Sequence, residues 1–245
     1  MKIALTNTLS IMGKKLEIFL RKKNHDIISF EKYKSNYTKF DSLNKKLKSA
    51  DTHKIDLLIH NASISENEMH KSKNIVKIID TELRTIEVLT KICKLKKIKK
   101  FILINSESTY GKNIKEKPFK IEEIASPSSV YDALKVTMGI LGSKLFNNFI
   151  SIRLFNVYGS NDLKFRLSPI KIDSSQRKFK NIHQVIDASF YKDLNNLIYK
   201  MISSKKKISG IFNLDNNDLT NQKIITKKNI KLKNKKTFVK FVKID

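Results

Sequence analysis

With one cysteine, Cys93, the chain cannot close an internal disulfide, and a reducing, cytoplasmic setting is the simplest reading. That cysteine stands in the apolar helical pattern Ile92-Cys93-Lys94-Leu95, the place of a buried filler rather than a reactive thiol. Long hydrophobic runs are missing too. None approaches the roughly 20 residues that span a bilayer, so no membrane partner is expected. The opening Met-Lys-Ile-Ala-Leu-Thr enters an apolar strand at once, without the charged, apolar and cleavage regions of a signal peptide. Only three prolines and six glycines occur in 245 residues, and they nowhere cluster into a linker. One sizeable domain, or one with a small appendage, is the expectation. Metal-ligand spacing is lacking as well. His60, His70 and His183 form no helical His-x-x-x-His, and neither zinc cysteines nor a Gly-x-Ser-x-Gly elbow occur. His60 reads as a packing residue at a strand end, and no metal is expected.

Acidic residues are few: 23 against 50 lysines and arginines, a net charge of +27. Such a balance suits a nucleic-acid or anionic-membrane binder. The composition argues otherwise. Five of the fifty basic residues are arginine (Arg21, Arg84, Arg153, Arg166 and Arg177), whereas a surface built to grip phosphate recruits the planar, bidentate guanidinium. Lysine is spread over every segment beside abundant Ile and Asn, the mark of an A+T-rich coding bias. No nucleic-acid partner is expected; one would require a clustered basic face and an affinity that falls steeply with salt.

What is present is an alternation of short apolar runs and longer periodic ones, the pattern of a parallel sheet with crossover helices. Strands are predicted at residues 2–6, 26–30, 55–60, 101–105, 150–155 and 210–214, and their near-continuous Val/Ile/Leu content suits strands covered on both faces. Leu16, Phe19 and Leu20 stripe a first helix, which Asn24 stops in a left-handed turn. Ile75, Ile79, Leu83, Ile86 and Leu89 mark a long helix ending near Lys97. Val130, Leu134, Met138, Leu141 and Leu145 mark another, after Pro127 near its first turn. Val185, Phe190, Leu194, Leu197 and Met201 mark a third of this kind. The Lys/Asn-rich tail from Thr220 closes on Thr237-Phe238-Val239-Lys240-Phe241-Val242, a candidate last edge strand. The expected fold class is α/β, a Rossmann-like doubly wound parallel sheet.

Such a sheet binds dinucleotides at the carboxyl ends of its strands, with the first turn cradling pyrophosphate at a helix N-terminus. The stretch after the first strand reads Thr6-Asn7-Thr8-Leu9-Ser10-Ile11-Met12-Gly13. Of a Gly-x-x-Gly-x-x-Gly turn only the third glycine, Gly13, is kept, with Asn7 and Ser10 in the first two places. Asparagine tolerates left-handed geometry, and serine adds a hydroxyl to the phosphate path. Asn7, Ser10, Ile11, Met12 and Gly13 are the candidate cradle, one that holds its cofactor weakly or has lost it. Eighteen residues after Gly13, Glu31 closes the second strand. A carboxylate there accepts both adenosine ribose hydroxyls and repels a 2′-phosphate, favouring NAD over NADP. Lys32 and Lys34 weaken that discrimination.

Further stretches follow in order: Ile55-Asp56-Leu57-Leu58-Ile59-His60-Asn61-Ala62-Ser63; Phe101-Ile102-Leu103-Ile104-Asn105-Ser106-Glu107-Ser108-Thr109-Tyr110-Gly111; Tyr131-Asp132-Ala133-Leu134-Lys135; and Arg153-Leu154-Phe155-Asn156-Val157-Tyr158-Gly159. A weaker one, Asn181-Ile182-His183-Gln184-Val185-Ile186-Asp187, precedes Gly210-Ile211-Phe212-Asn213-Leu214. Together with the opening strand and turn, they resemble the NAD-dependent epimerase/dehydratase family, extended short-chain dehydrogenases that act largely on nucleotide sugars. The resemblance covers nearly the whole chain. Tyr131 and Lys135, four apart, are neighbours on one helix face. An ammonium beside a phenol stabilises phenolate, so the tyrosine can exchange a proton with a substrate hydroxyl, while hydride transfer belongs to the cofactor.

By resemblance Ser106 orients the substrate oxygen, which makes Ser106, Tyr131 and Lys135 the catalytic set, and Lys135 also reaches the nicotinamide ribose. The resemblance further implies Asn61 and Ala62 beneath the adenosine and pyrophosphate, Asn105 at the strand end before Ser106, and Phe155 beside the nicotinamide. Thr81 falls where the family has a cofactor-supporting asparagine. Asn156 would donate to a substrate phosphate or sugar oxygen, and Lys180 stands near the family's diphosphate-binding arginine, with its charge but without its fork. Glu107 and Ser108 occupy the places of the dehydratases' acid–base pair. A serine in the base position disfavours dehydration and leaves Glu107, beside the substrate site, as a solvated or structural residue.

Two departures bear on the substrate. Only 23 residues lie between Asn156 and Lys180, where the family inserts a further helix and loop, and 31 follow Leu214. The expectation is a nucleotide-binding domain over residues 1–160 carrying the catalytic residues. A reduced substrate lobe over 161–245 is interleaved with the late strand and helix. The family's dimer bundle implies a homodimer through helices at 66–97 and 128–147. The expected function is an NAD-linked epimerase or oxidoreductase of a sugar, nucleotide-activated, serving surface-polysaccharide supply. The rival is a degenerate homologue with a binding or scaffold role and no turnover.

Overall fold

Uncharged runs of Ile, Leu and Phe form strands because such side chains suit a pleated surface covered on both faces. The computed structural model describes residues 1–30, 55–61, 64, 66–111, 124–154, 172–173, 178–179, 191–204, 208–216 and 237–242. Its strands are β1 (Lys2–Thr6), β2 (Asp26–Phe30), β3 (Leu57–His60), β4 (Lys100–Ser106), β5 (Phe149–Leu154), β6 (Ile172–Asp173), β7 (Lys178–Phe179), β8 (Gly210–Asn216) and β9 (Thr237–Val242). Its helices are α1 (Ile11–Lys22), α2 (Glu66–Lys71), α3 (Ile75–Leu95), α4 (Val130–Leu145) and α5 (Tyr191–Ser203).

The main sheet runs β2-β1-β3-β4-β5-β8-β9. Its first six strands pair in parallel and β9 adds antiparallel at the edge of β8, so the tail supplies the edge strand that its apolar run predicts. β6 and β7 form a separate antiparallel pair. The architecture is the expected doubly wound α/β sheet, with strand ends within one or two residues of the sequence reading.

The helices correct that reading in one place. The helical stretch expected over 66–97 is interrupted, with α2 ending at Lys71 and α3 starting afresh at Ile75. Asn74 Oδ1 accepts from Lys77 N at 2.9 Å and Ser72 Oγ from Asn74 N at 3.1 Å, so a cap outcompetes continuation. Pro127 lies just before α4, as the sequence reading has it. Ser129 is the cap, its Oγ accepting from Asp132 N at 3.1 Å, and Asp132 in turn accepts from the backbone and hydroxyl of Ser128. Asn24, at φ 59°, ends α1 in the left-handed region as its residue type predicts. Val185 and Phe190 lie outside the described residues.

Alternation along β4 divides the core. Ile102 and Ile104 face the layer of α1 and α5, where Leu16, Leu20, Leu194, Leu197 and Met201 cover Ile3, Leu5 and Phe212. Phe101 and Leu103 face α3 and α4, where Ile86, Leu89, Ile92, Leu134 and Met138 cover Ala4, Leu58 and Phe149. Cys93 is buried in this second layer, and burial pushes its thiol pKa well above the usual range, which fits the filler reading. Among the described residues no helix is long and apolar enough to cross a membrane.

Gly142 sets how closely α4 lies on β5. A Cβ there would overlap the Phe149 ring, which packs edge-on against Phe101 with centroids 5.1 Å apart. Alanine gains about 1 kcal/mol of helix propensity, but the ring is 3% exposed and boxed in, and overpacking costs about 1–3 kcal/mol. Gly142→Ala is expected to lose roughly 1 kcal/mol net by urea unfolding. An unchanged midpoint would show that the ring yields.

Candidate active site

Because β1, β3 and β4 run parallel, the residues that follow them converge along one edge of the sheet. After β1, Asn7 adopts φ 56°, the left-handed conformation that glycine ordinarily supplies. Ser10 caps α1: its Oγ accepts from Gly13 N at 3.0 Å and from Asn61 Nδ2 at 3.2 Å and donates to Asn7 O at 2.9 Å. Gly13 cannot carry a side chain, since a Cβ would overlap the Asn7 carbonyl and stand 2.9 Å from Asn61 Nδ2. The glycine-type turn therefore keeps its shape with asparagine in its first place. Ser10 takes up the Gly13 amide, which leaves the first two helical amides, of Ile11 and Met12, without an intrahelical acceptor. Asn61 is buried, and its Oδ1 finds no donor among the described residues.

His60, just before Asn61, is fully buried with Nδ1 3.0 Å from Thr6 Oγ1, which also accepts from Asn61 N at 2.9 Å. Burial, and secondarily the charge of Lys135, lowers its pKa to about 3. The imidazole is therefore neutral at neutral pH, in keeping with a packing residue.

Asn105 brackets β4 to α4 and β5. Its Nδ2 donates to Lys135 O at 3.0 Å and to Ser151 Oγ at 3.2 Å, and its Oδ1 accepts from Ser106 N at 3.0 Å. Both ends of the carboxamide are thus engaged within the protein. Ser106 Oγ donates to Glu107 Oε2 at 3.2 Å and accepts from Ser108 N at 3.2 Å, capping a 3₁₀ turn over Glu107–Tyr110 that the sequence pattern did not predict. That turn is anchored at its far end. Tyr110 OH donates to Asn213 Oδ1 on β8 at 3.0 Å, and the Arg153 guanidinium of β5 lies 4.5 Å from the Tyr110 ring centroid.

On the first turns of α4, Lys135 Nζ lies 4.8 Å from the centroid of the half-buried Tyr131 ring. Lys135 is 4% exposed, and its Nζ donates to Ile64 O at 3.4 Å in the segment after β3. Thr81 is exposed, its hydroxyl donating to Lys77 O at 2.7 Å. The inward residue of that helical turn is its neighbour Glu82, buried, with Oε1 accepting from Ile64 N at 3.1 Å. Sequence reasoning missed Glu82, although a signal exists. In the series Ile75, Ile79, Glu82, Ile86 and Leu89 it is the one charge at an apolar-stripe spacing. Glu31, Ala62, Phe155, Asn156 and Lys180 lie outside the described residues. Among the described residues no group of three or more His, Cys, Asp or Glu could hold a metal ion.

Against known proteins, dTDP-D-glucose 4,6-dehydratase of Dictyostelium discoideum is 25% identical over 202 residues, 69% of this chain and 46% of that protein. The chain thus spans about half the length of the curated relative it matches. UDP-glucose 4-epimerase of Thermus thermophilus, solved in complex with NAD, superimposes with a TM-score of 0.71 at 13% identity, covering 89% of this chain and 78% of that one. dTDP-4-dehydrorhamnose reductase of Bacillus anthracis, solved with NADP, gives 0.69 at 16% identity, with 88% and 74% covered. At such identities the structural likeness speaks for the fold. The family profile matches from the cap of α1 into β8, residues 10–214, and the chain belongs to the NAD-dependent epimerase/dehydratase family.

Proposed function

We propose that the chain is an NAD-linked epimerase or oxidoreductase acting on a sugar, nucleotide-activated, by transient hydride transfer. The observation that carries this reading is the buried Lys135 ammonium against the Tyr131 ring, on the edge of the sheet where the Asn7–Gly13 turn also opens. The residues present fit a dinucleotide. The turn retains glycine-like geometry at Asn7, Gly13 lets α1 pack closely against the Asn7 carbonyl, and the buried Asn61 Oδ1 suits a ligand donor. Ile11 and Met12 offer two helix amides to a phosphate. Ser10 already holds the third, which argues for weak rather than tight binding.

Nicotinamide, when bound, supplies the uptake and return of hydride. Tyr131, as phenolate, takes the proton of the sugar hydroxyl and later returns it to the same oxygen; Lys135 favours the phenolate by its charge. Ser106 turns its hydroxyl from Glu107 toward the sugar oxygen to hold it. Ser108, standing where a dehydratase would carry a carboxylate, has no group able to abstract a carbon-bound proton, so epimerisation or simple oxidoreduction is favoured over dehydration. Glu31 selects NAD over NADP. Ala62, Thr81 and Phe155 belong to the cofactor site, and Glu107, Asn156 and Lys180 to the substrate side. Residues 1–160 form the nucleotide-binding part and 161–245 the substrate lobe, in a cytoplasmic homodimer paired through α3 and α4.

Fluorescence titration of the protein with NADH, and competition by NAD, tests the reading. Saturation is expected below about 1 mM. No binding at that concentration, a free energy weaker than about −4 kcal/mol, would end the enzymatic reading and leave the degenerate binding homologue.

A further inference from the structure

The segment leaving β3 is gripped between two helices by groups of opposite charge. Ile64 donates its N–H to Glu82 Oε1 of α3 at 3.1 Å, and its carbonyl accepts from Lys135 Nζ of α4 at 3.4 Å. Its side chain packs on the core layer of Ile86, Leu89 and Leu134. Both charged residues are more than nine-tenths buried, Glu82 at 9% and Lys135 at 4% exposure. A buried carboxylate is tolerated only when its charge is compensated and its oxygens accept hydrogen bonds. Glu82 sits at an apolar-stripe position where leucine would be the ordinary choice, so packing alone does not account for it.

We propose that Glu82 is a positioning residue for Lys135. It fixes Ile64, and Ile64 in turn gives the ammonium a hydrogen-bond acceptor beside the Tyr131 ring. The role rests on the reading of Lys135 as part of the catalytic pair, but the geometry it explains does not.

Two substitutions separate the contributions. Glu82→Gln keeps an oxygen that can accept from Ile64 N and discards the charge. Glu82→Leu keeps the bulk and discards both, and Glu82→Met, of similar length and helix preference, replaces the leucine if that variant does not fold. The readout is acetylation of Lys135 by a limiting acyl ester, followed by peptide mass spectrometry on the whole chain without cofactor or substrate. The exposed Lys144 serves as the internal reference. Losing the acceptor is expected to raise Lys135 labelling about tenfold in the leucine or methionine variant, as an unanchored donor is released. The glutamine variant should stay within about twofold of the parent, the rescue that an acceptor role demands.

Unchanged Lys135 labelling in a folded leucine or methionine variant would overturn the proposal. So would failure of both to fold beside a normal glutamine variant, since Glu82 would then serve the core at large. NADH titration of the same proteins keeps the two readings apart. Labelling that responds while the parent binds no NADH would leave Glu82's role standing and remove the redox reading.

Discussion

Replacing Tyr131 by phenylalanine is expected to lower turnover by at least about a hundredfold while leaving NADH affinity within about twofold of the parent. The substitution removes one oxygen. The ring remains half-buried beneath the Lys135 ammonium at 4.8 Å, and α4 keeps its Ser129 cap, so neither packing nor the helix start is disturbed. What disappears is the group that accepts the substrate proton. Positioned acid–base catalysis contributes about 10²–10⁴-fold, which corresponds to roughly 3–5 kcal/mol of barrier. Because that interaction strengthens only in the transition state, kcat and kcat/KM should fall together with KM little changed. The measurement needs a turnover assay, for which a panel of nucleotide sugars with NAD is the starting point. A phenylalanine variant that turns over at the parent's rate would remove Tyr131 from the reaction.

What the sequence made legible divides by range. Strands declared themselves because covered parallel strands are mostly apolar over four to seven positions, and β9, an antiparallel edge strand outside the family match, was legible from its own Phe/Val-rich run. Tyr131 and Lys135 were legible because a helix brings residues four apart together whatever the rest of the chain does. Asn7 was legible from residue type, since asparagine is among the few residues that enter the left-handed region readily. The two roles of Asn105 were not, because its partners Lys135 and Ser151 lie 30 and 46 residues away. The 3₁₀ turn after β4 was hidden for the same reason, its anchor joining Tyr110 to Asn213 across 103 residues. The break between α2 and α3 was half legible. Ser72 and Asn74 are good capping types, but the apolar period runs through them and masks the interruption.

Acidification from pH 7 to pH 5 is expected to lower stability by about 2 kcal/mol through His60 alone. Burial first, and the nearby Lys135 charge second, set its folded pKa at about 3 against 6.5 in an unfolded chain. Between those values the unfolded chain binds a proton that the folded protein refuses. Stability therefore rises with pH across that window. The contribution is complete above the unfolded value and fades as pH falls toward 3. The geometry explains the refusal. The ring is fully buried with Nδ1 on Thr6 Oγ1, and an imidazolium there would add a second positive charge near the buried ammonium. Urea midpoints of the parent and of His60→Asn at both pH values isolate the effect. The variant is weaker throughout, since it leaves space where a ring packed, but its decline on acidification should be smaller by that same 2 kcal/mol or so. Histidines nearer the surface, His25 among them, titrate alike in both proteins and cancel in the difference. Equal declines would mean that His60 accepts a proton in place, against the burial that chiefly holds its folded pKa down.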